Sequence, residues 1–129
     1  MWNLFSESSP YKIQARVIAL AWTILILVSC FTPAKDLPDV DVPFVDKWAH
    51  LVFFGLFSLL WWCGFPGGAN RRGLWIVLTG SALGGLIELF QGWLVFLGRS
   101  MELLDWVADT LGSLLGAAFY MLLARFFRR

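Results

Sequence analysis

Glu88, Gln91, Asp105, Asp109 and the single histidine, His50, all lie within or at the mouth of long apolar stretches of this 129-residue chain. An acid at the centre of a bilayer costs roughly 2.5–3.5 kcal/mol on insertion scales, so such residues mark a site by default. Gly80, Gly84, Glu88 and Gln91 are spaced by four, four and three residues, and Asp105, Asp109, Gly112 and Gly116 by four, three and four. Each set forms one stripe of an α-helix. Imidazole and carboxylate together are the groups that general acid–base chemistry uses. Arg99 and Lys47 add cations suited to phosphate or to a carboxylate, Arg99 through its forked geometry, with Asp105 or Glu88 as its expected partner. The residues read as able to do chemistry are therefore His50, Glu88, Asp105 and Asp109. Those read as ligand-binding are Asp46, Lys47, Gln91 and Arg99.

The elements that must position them follow from composition. With 59% hydrophobic and 15% charged residues, the chain departs from soluble domains, where charged residues run near a quarter. Four apolar runs, about 13–31, 48–65, 74–97 and 103–127, each reach or approach the ~20 residues that cross a bilayer. In lipid the backbone must satisfy its own hydrogen bonds, so the runs are helices. The expected fold is all-α, an integral membrane bundle of four transmembrane helices forming one multi-pass domain over 1–129.

Seven of the ten Lys and Arg residues (Lys12, Arg16, Arg71, Arg72, Arg125, Arg128 and Arg129) fall at the termini and in the second loop. The positive-inside rule then makes both termini cytoplasmic and turns His50, Glu88, Asp105 and Asp109 toward the outer leaflet. Trp48, Trp62, Trp75, Trp93 and Trp106 read as interfacial belts. Pro33 is expected to end the first span, and Phe65-Pro66-Gly67-Gly68 to form a turn. Short connections make spans two and three, and three and four, antiparallel neighbours. The glycine stripes let spans three and four approach closely. By a 1.5 Å rise per residue, Glu88 and Asp109 both lie ~9 Å below the outer face.

Each residue also has a plainer use. Asp46 and Asp105 would cap helices, Lys47 anchor at the interface, His50 pack, Glu88 and Gln91 bond between helices, and Glu102 sit in water. Convergence of polar residues from three spans on one side favours a site. The Asp39/Asp41 loop lacks the glycine turn and terminal glutamate of a calcium loop, and its Val40, Val42 and Phe44 read as membrane-surface contacts before a lid. Cys30 and Cys63 lie too far apart for a disulfide. Leu27-Val28-Ser29-Cys30 resembles a lipoprotein cleavage box, with an ordinary span end as the preferred reading. One histidine without a paired metal-binding motif gives no expected metal, and no nucleotide or flavin fingerprint gives no expected cofactor. The basic patches are met by topology and anionic lipid, so no nucleic-acid partner is expected; oligomerisation is open.

Asp46-Lys47-x-x-His50 opening one span, Glu88-x-x-Gln91 closing another, and then Gly98-Arg99-Ser100 with Asp105-x-x-x-Asp109-x-x-Gly112-x-x-x-Gly116 resemble the VanZ-like family of small bacterial membrane proteins. The resemblance covers about 46–116. Asp109 stands where that family often has asparagine, which adds a charge. The resemblance implies a cell-envelope role in the bacterial cytoplasmic membrane, and a link to low-level resistance to the glycopeptide teicoplanin.

Three functions fit these residues. The first is a non-enzymatic protein binding a lipid head group or lipid-linked cell-wall precursor. The second is a membrane-embedded enzyme modifying such a lipid through His50 or Glu88. The third is a structural or transport subunit whose polar residues only fix helix packing.

Overall fold

Thr32 adopts extended backbone ahead of Pro33 (φ −66°, ψ 129°) and stops the first helix where the proline predicts. In the computed structural model, which describes residues 4–67 and 70–127, the chain forms α1 (Lys12–Phe31), α2 (Val45–Gly64), α3 (Asn70–Trp93) and α4 (Leu103–Phe127). No strand occurs among the described residues. Gly68 of the expected turn, and Arg128 and Arg129, lie outside them.

The protein is an all-α membrane bundle. Helices α1, α3 and α4 are each long and apolar enough to cross a membrane. Helix α2, at 20 residues as long as α1, falls short of that standard. Asp46, Lys47 and His50 crowd its first turns, and Trp48, Trp61 and Trp62 flank its apolar centre. It is enclosed instead: Phe54, Phe57, Ser58 and Trp62 of α2 are all buried. Trp22 donates to the Phe53 carbonyl at 2.9 Å and Trp61 to the Thr23 hydroxyl at 3.0 Å, tying α1 to α2. The outward faces keep large apolar side chains exposed, among them Val17, Leu86, Leu115 and Leu122, as a lipid-facing surface does.

Two apolar clusters fill the interior. One joins Ile26, Cys30, Phe54, Phe57 and Ile87; the other joins Phe5, Trp62, Ala117, Tyr120 and Ala124. Trp62 stacks on Tyr120 with centroids 4.4 Å apart and is buried. It belongs to the core and not to an interfacial belt, because the small residues Ala117 and Ala124 leave room for its ring. Trp48, Trp75 and Trp93 are exposed. Helix α3 ends at Trp93, four residues before the apolar run does. Val95–Leu97 make a 3-10 turn closed by Gly98 at φ +63°, a left-handed conformation that glycine adopts without strain. An apolar run here ends in a turn whose Val95 and Phe96 remain exposed.

Helix α2 packs most closely on α4, not on α3. Lys47 meets Asp105 and His50 meets Asp109, while a Cβ on Gly112 would strike the Leu51 carbonyl and one on Gly116 the Gly55 carbonyl. These positions rise together along both helices, so the pair is parallel, with α3 as its crossover. Gly80 and Gly84 of α3 do face α4, but against the side chains of Ser113 and Asp109. The α4 glycines are thus spent on α2, which corrects the expected glycine-on-glycine contact between spans three and four. Both cysteines are free.

Candidate functional site

At the end of the bundle carrying the Asp46 turn, α2, α3 and α4 pool their ionisable side chains. Helix α2 begins after Phe44, which takes φ +56° and supplies no side-chain cap. Asp46 therefore does not cap through its side chain. It lies in the first turn, where its charge complements the helix dipole, and accepts from Lys47 at 2.5 Å. Lys47 Nζ also contacts Glu102 and, at 3.0 Å, Asp105. Both residues precede the apolar part of α2. Burial opposes the Lys47 charge, but its hydrogen bonds to Asp46, Glu102 and Asp105 prevail and raise its pKa. Burial likewise opposes the Asp46 charge, and the bond from Lys47 prevails to lower its pKa.

One turn further in, His50 and Asp109 face each other, with Nδ1 and Oδ1 2.7 Å apart. His50 Nε2 looks toward Asp105 Oδ2 at 3.9 Å, beyond hydrogen-bond distance. With Asp109 accepting the Nδ1 proton, the Nε2 lone pair is left to the side of Asp105. Glu88 Oε2 accepts the Glu102 backbone N–H at 2.8 Å, while its Oε1 is buried with no hydrogen-bond partner. One donor atom each from His50, Glu88 and Asp105 lies within 4.8 Å of the others. Asp109 is fully buried against Gly84. It therefore sits one helical turn, about 6 Å, deeper than Glu88, where the sequence suggested equal depths. The polar row continues with Ser58 and Ser113, fully buried and with unpartnered hydroxyls.

Of the residues anticipated from sequence, the structure brings together Asp46, Lys47, His50, Glu88, Asp105 and Asp109. Gln91 is buried but turns to α1, donating to the Cys30 carbonyl at 2.7 Å. Arg99 makes no hydrogen bond or ion pair with any described residue. The cation expected for Asp105 is Lys47 instead, because it starts a helix parallel to α4 at the same level. Glu102, read from sequence as solvated, is a full member. Its spacing of three before Asp105 and fourteen after Glu88 was the available signal. Val40, Val42 and Phe44, in the connection between α1 and α2, are exposed.

Beside the cluster, a cavity of about 200 Å³ lies between α3 and α4; Glu88 and Glu102 border it with Leu89, Leu103 and Trp106, and the surface it presents is apolar. Larger grooves of about 910 and 500 Å³ lie toward Arg71 and Arg72 and are also mainly apolar, with Arg71 and Arg125 bordering the first and Arg72 the second. They carry no comparable set of reactive groups.

The sequence model of the VanZ/LLP1 family matches residues 2–124, nearly the whole chain. The chain belongs to the VanZ/LLP1 family. The match extends the 46–116 resemblance over α1 and most of α4, so α1 is part of the family's unit. Neither the curated proteins nor the solved structures compared with the chain include a significant match. The VanZ/LLP1 assignment and the three apolar helices make this a multi-pass membrane protein.

The Lys47 knot makes a prediction of its own. Lys47→Met should leave Asp46, Glu102 and Asp105 facing one another without a cation. Removing one partner of a buried ion pair costs about 3–5 kcal/mol; partial exposure of Lys47, at 20%, argues for the lower end or less. Thermal unfolding in detergent should show the loss, and Glu102→Gln in the same chain should recover part of it. An unchanged midpoint for Lys47→Met would show that the three acids are neutral or solvated.

Proposed function

We propose that this VanZ/LLP1 protein is a cell-envelope protein whose polar site binds the head group of a lipid or a lipid-linked cell-wall precursor. The observation that carries the reading is the gathering of Lys47, His50, Glu88, Asp105 and Asp109 at one end of an apolar bundle, beside a small apolar cavity walled by Leu89, Leu103 and Trp106. A polar cluster beside an apolar trough fits a molecule with a head and a chain. Arg99, which makes no hydrogen bond or ion pair with a described residue and lies outside the cavity lining, is the cation left to meet a phosphate, while the carboxylates suit an amine, a hydroxyl or a counter-ion. The basic residues Arg16 and Arg72 bond the Gly64, Phe65 and Pro66 carbonyls at the opposite end. The positive-inside rule makes that end cytoplasmic, which turns the site to the outer leaflet of a bacterial cytoplasmic membrane. A bound precursor there would alter how a glycopeptide such as teicoplanin meets its target.

A second reading, an enzyme acting on that lipid, is favoured by the 2.7 Å pairing of His50 with Asp109. In it His50 Nε2 takes the proton of the attacking hydroxyl or water, Asp109 holds the ring, and the imidazolium so formed gives that proton to the leaving group.

Lipid mass spectrometry on the purified protein, and on cells with and without it, separates these. One lipid class should be enriched over the bulk membrane and lost in Arg99→Ala and Glu88→Gln, with both variants still monodisperse. A chemically altered lipid present with the wild type and absent with His50→Gln would favour the enzyme. Neither enrichment nor alteration would remove both readings and leave helix packing as the use of these residues.

A further inference from the structure

The charges at the head of the bundle do not balance. Glu88, Asp105 and Asp109 are each at most 5% exposed. Their one lysine, Lys47, is shared among Asp105 and the half-exposed Asp46 and Glu102. Buried carboxylates are paired, protonated or bound to metal. Two groups of donors in the cluster are close enough to share one cation: Asp46, Glu102 and Asp105, and His50, Glu88 and Asp105. The Lys47 ammonium already fills the first. Among the described residues the second has no cation of its own, and Glu88 Oε1 within it is buried without a hydrogen-bond partner.

We propose that His50, Glu88 and Asp105 bind a divalent first-row transition cation, with Asp109 orienting the imidazole from behind. The inference stands on this donor set and does not need the lipid reading. Asp109 Oδ1 on His50 Nδ1 is the outer-shell contact that metal-binding histidines make: it fixes the tautomer and directs Nε2 at the ion. One imidazole nitrogen and two carboxylate oxygens suit Mn²⁺, Fe²⁺, Co²⁺ or Zn²⁺. They offer too few oxygens for Ca²⁺, and Mg²⁺ avoids the imidazole. The donor atoms lie within 4.8 Å of one another; ligands of a bound ion stand roughly 3–3.5 Å apart, so the shell tightens slightly as the ion enters. Three protein donors leave at least one position for an outside ligand, and Glu88 also lines the cavity beside the cluster. No spacing motif announces this set, because each donor comes from a different helix.

The test uses the full-length protein, stripped with chelator, exchanged into fresh detergent and titrated with Mn²⁺ alone, followed by the loss of the free-ion electron paramagnetic resonance signal. One saturable equivalent per chain is expected. His50→Gln and Glu88→Gln should each weaken it at least tenfold, and Asp109→Asn about tenfold to a hundredfold. The exposed outer-loop pair Asp39→Asn/Asp41→Asn should bind as the wild type does. No saturable equivalent on the wild type, equal binding by His50→Gln and Glu88→Gln, or loss of binding with the loop pair would each overturn the proposal. Should the site variants not stay monodisperse, the visible spectrum of Co²⁺ on the wild type decides. Bands of a low-coordinate nitrogen–oxygen site support it, and the spectrum of the hydrated ion overturns it. Absence of the metal site would leave the lipid reading standing, since no lipid enters the measurement.

Discussion

Replacing Gly116 by alanine is expected to destabilise the protein sharply, while the same change at Gly55, directly across the helix pair, is expected to be neutral or mildly stabilising. A Cβ on Gly116 would run into the carbonyl oxygen, carbonyl carbon and Cα of Gly55. These are backbone atoms of a helix and cannot rotate aside. A Cβ on Gly55 meets nothing nearer than the Gly112 carbonyl oxygen at 3.4 Å, an ordinary contact. Alanine gains about 1 kcal/mol of helix propensity over glycine. At Gly55 that gain is nearly unopposed. At Gly116 it is outweighed by overpacking of about 1–3 kcal/mol or more, because α2 and α4 must part. Parting them also draws Lys47 from Asp105 and His50 from Asp109, so site function should fall with stability. Gly112→Ala should behave like Gly116→Ala, since its Cβ would strike the Leu51 carbonyl. Thermal midpoints of the three variants in one detergent are the measurement. Equal midpoints for all three would mean that α2 and α4 yield at Gly112 and Gly116 without parting.

The glycines also show where the sequence was readable and where it was not. Spacings of four along α4 identify the face on which Gly112 and Gly116 lie, but a face does not name its partner. Antiparallel neighbours joined by a short turn are the simplest guess for spans three and four, yet α2 takes the place against those glycines. Gly55 has Leu51 and Leu59 four residues to either side, so no small-residue stripe marks it. The same gap explains the charges. That Glu88, Asp105, Asp109 and His50 share one end followed from helix direction and apolar boundaries. Which carboxylate sits level with which depended on the relative shift of two helices, and one turn of shift sets Asp109 against Gly84. Arg99 looked the natural partner for Asp105 because it is near in sequence. Lys47, 58 residues away, takes that role because parallel helices align their first turns. Fold class and site location were local properties of the chain; pairings were properties of the packing.

Asp109→Ala should be among the most damaging single changes in the site, and Asp109→Asn much milder. The Asp109 side chain has no solvent exposure, its Oδ1 is 2.7 Å from His50 Nδ1, and its Oδ2 has no hydrogen-bond partner. Alanine removes the acceptor, strands the imidazole N–H and opens a void beside Gly84. Breaking a buried charged pair in this way costs about 3–5 kcal/mol. Asparagine keeps the shape and an acceptor oxygen for the Nδ1–H. Its amide nitrogen replaces an oxygen that already lacked a partner, so the cost should fall to about 1–3 kcal/mol for an unmet donor. Stability should therefore run wild type, asparagine, alanine, with about 2 kcal/mol between the variants in denaturant or thermal unfolding. The asparagine variant then separates the two functional readings, because it retains the geometry and loses the charge. Under the binding reading, lipid enrichment on the purified Asp109→Asn protein should be close to that of the wild type. Under the acid–base reading, the imidazolium formed at His50 loses its counter-charge, and turnover should drop by a hundredfold or more, within the 10²–10⁴ range of positioned proton transfer, while enrichment persists. If asparagine proves as destructive to folding as alanine, then the carboxylate charge, and not merely a well-placed acceptor, holds His50, and the imidazole is cationic in the folded protein.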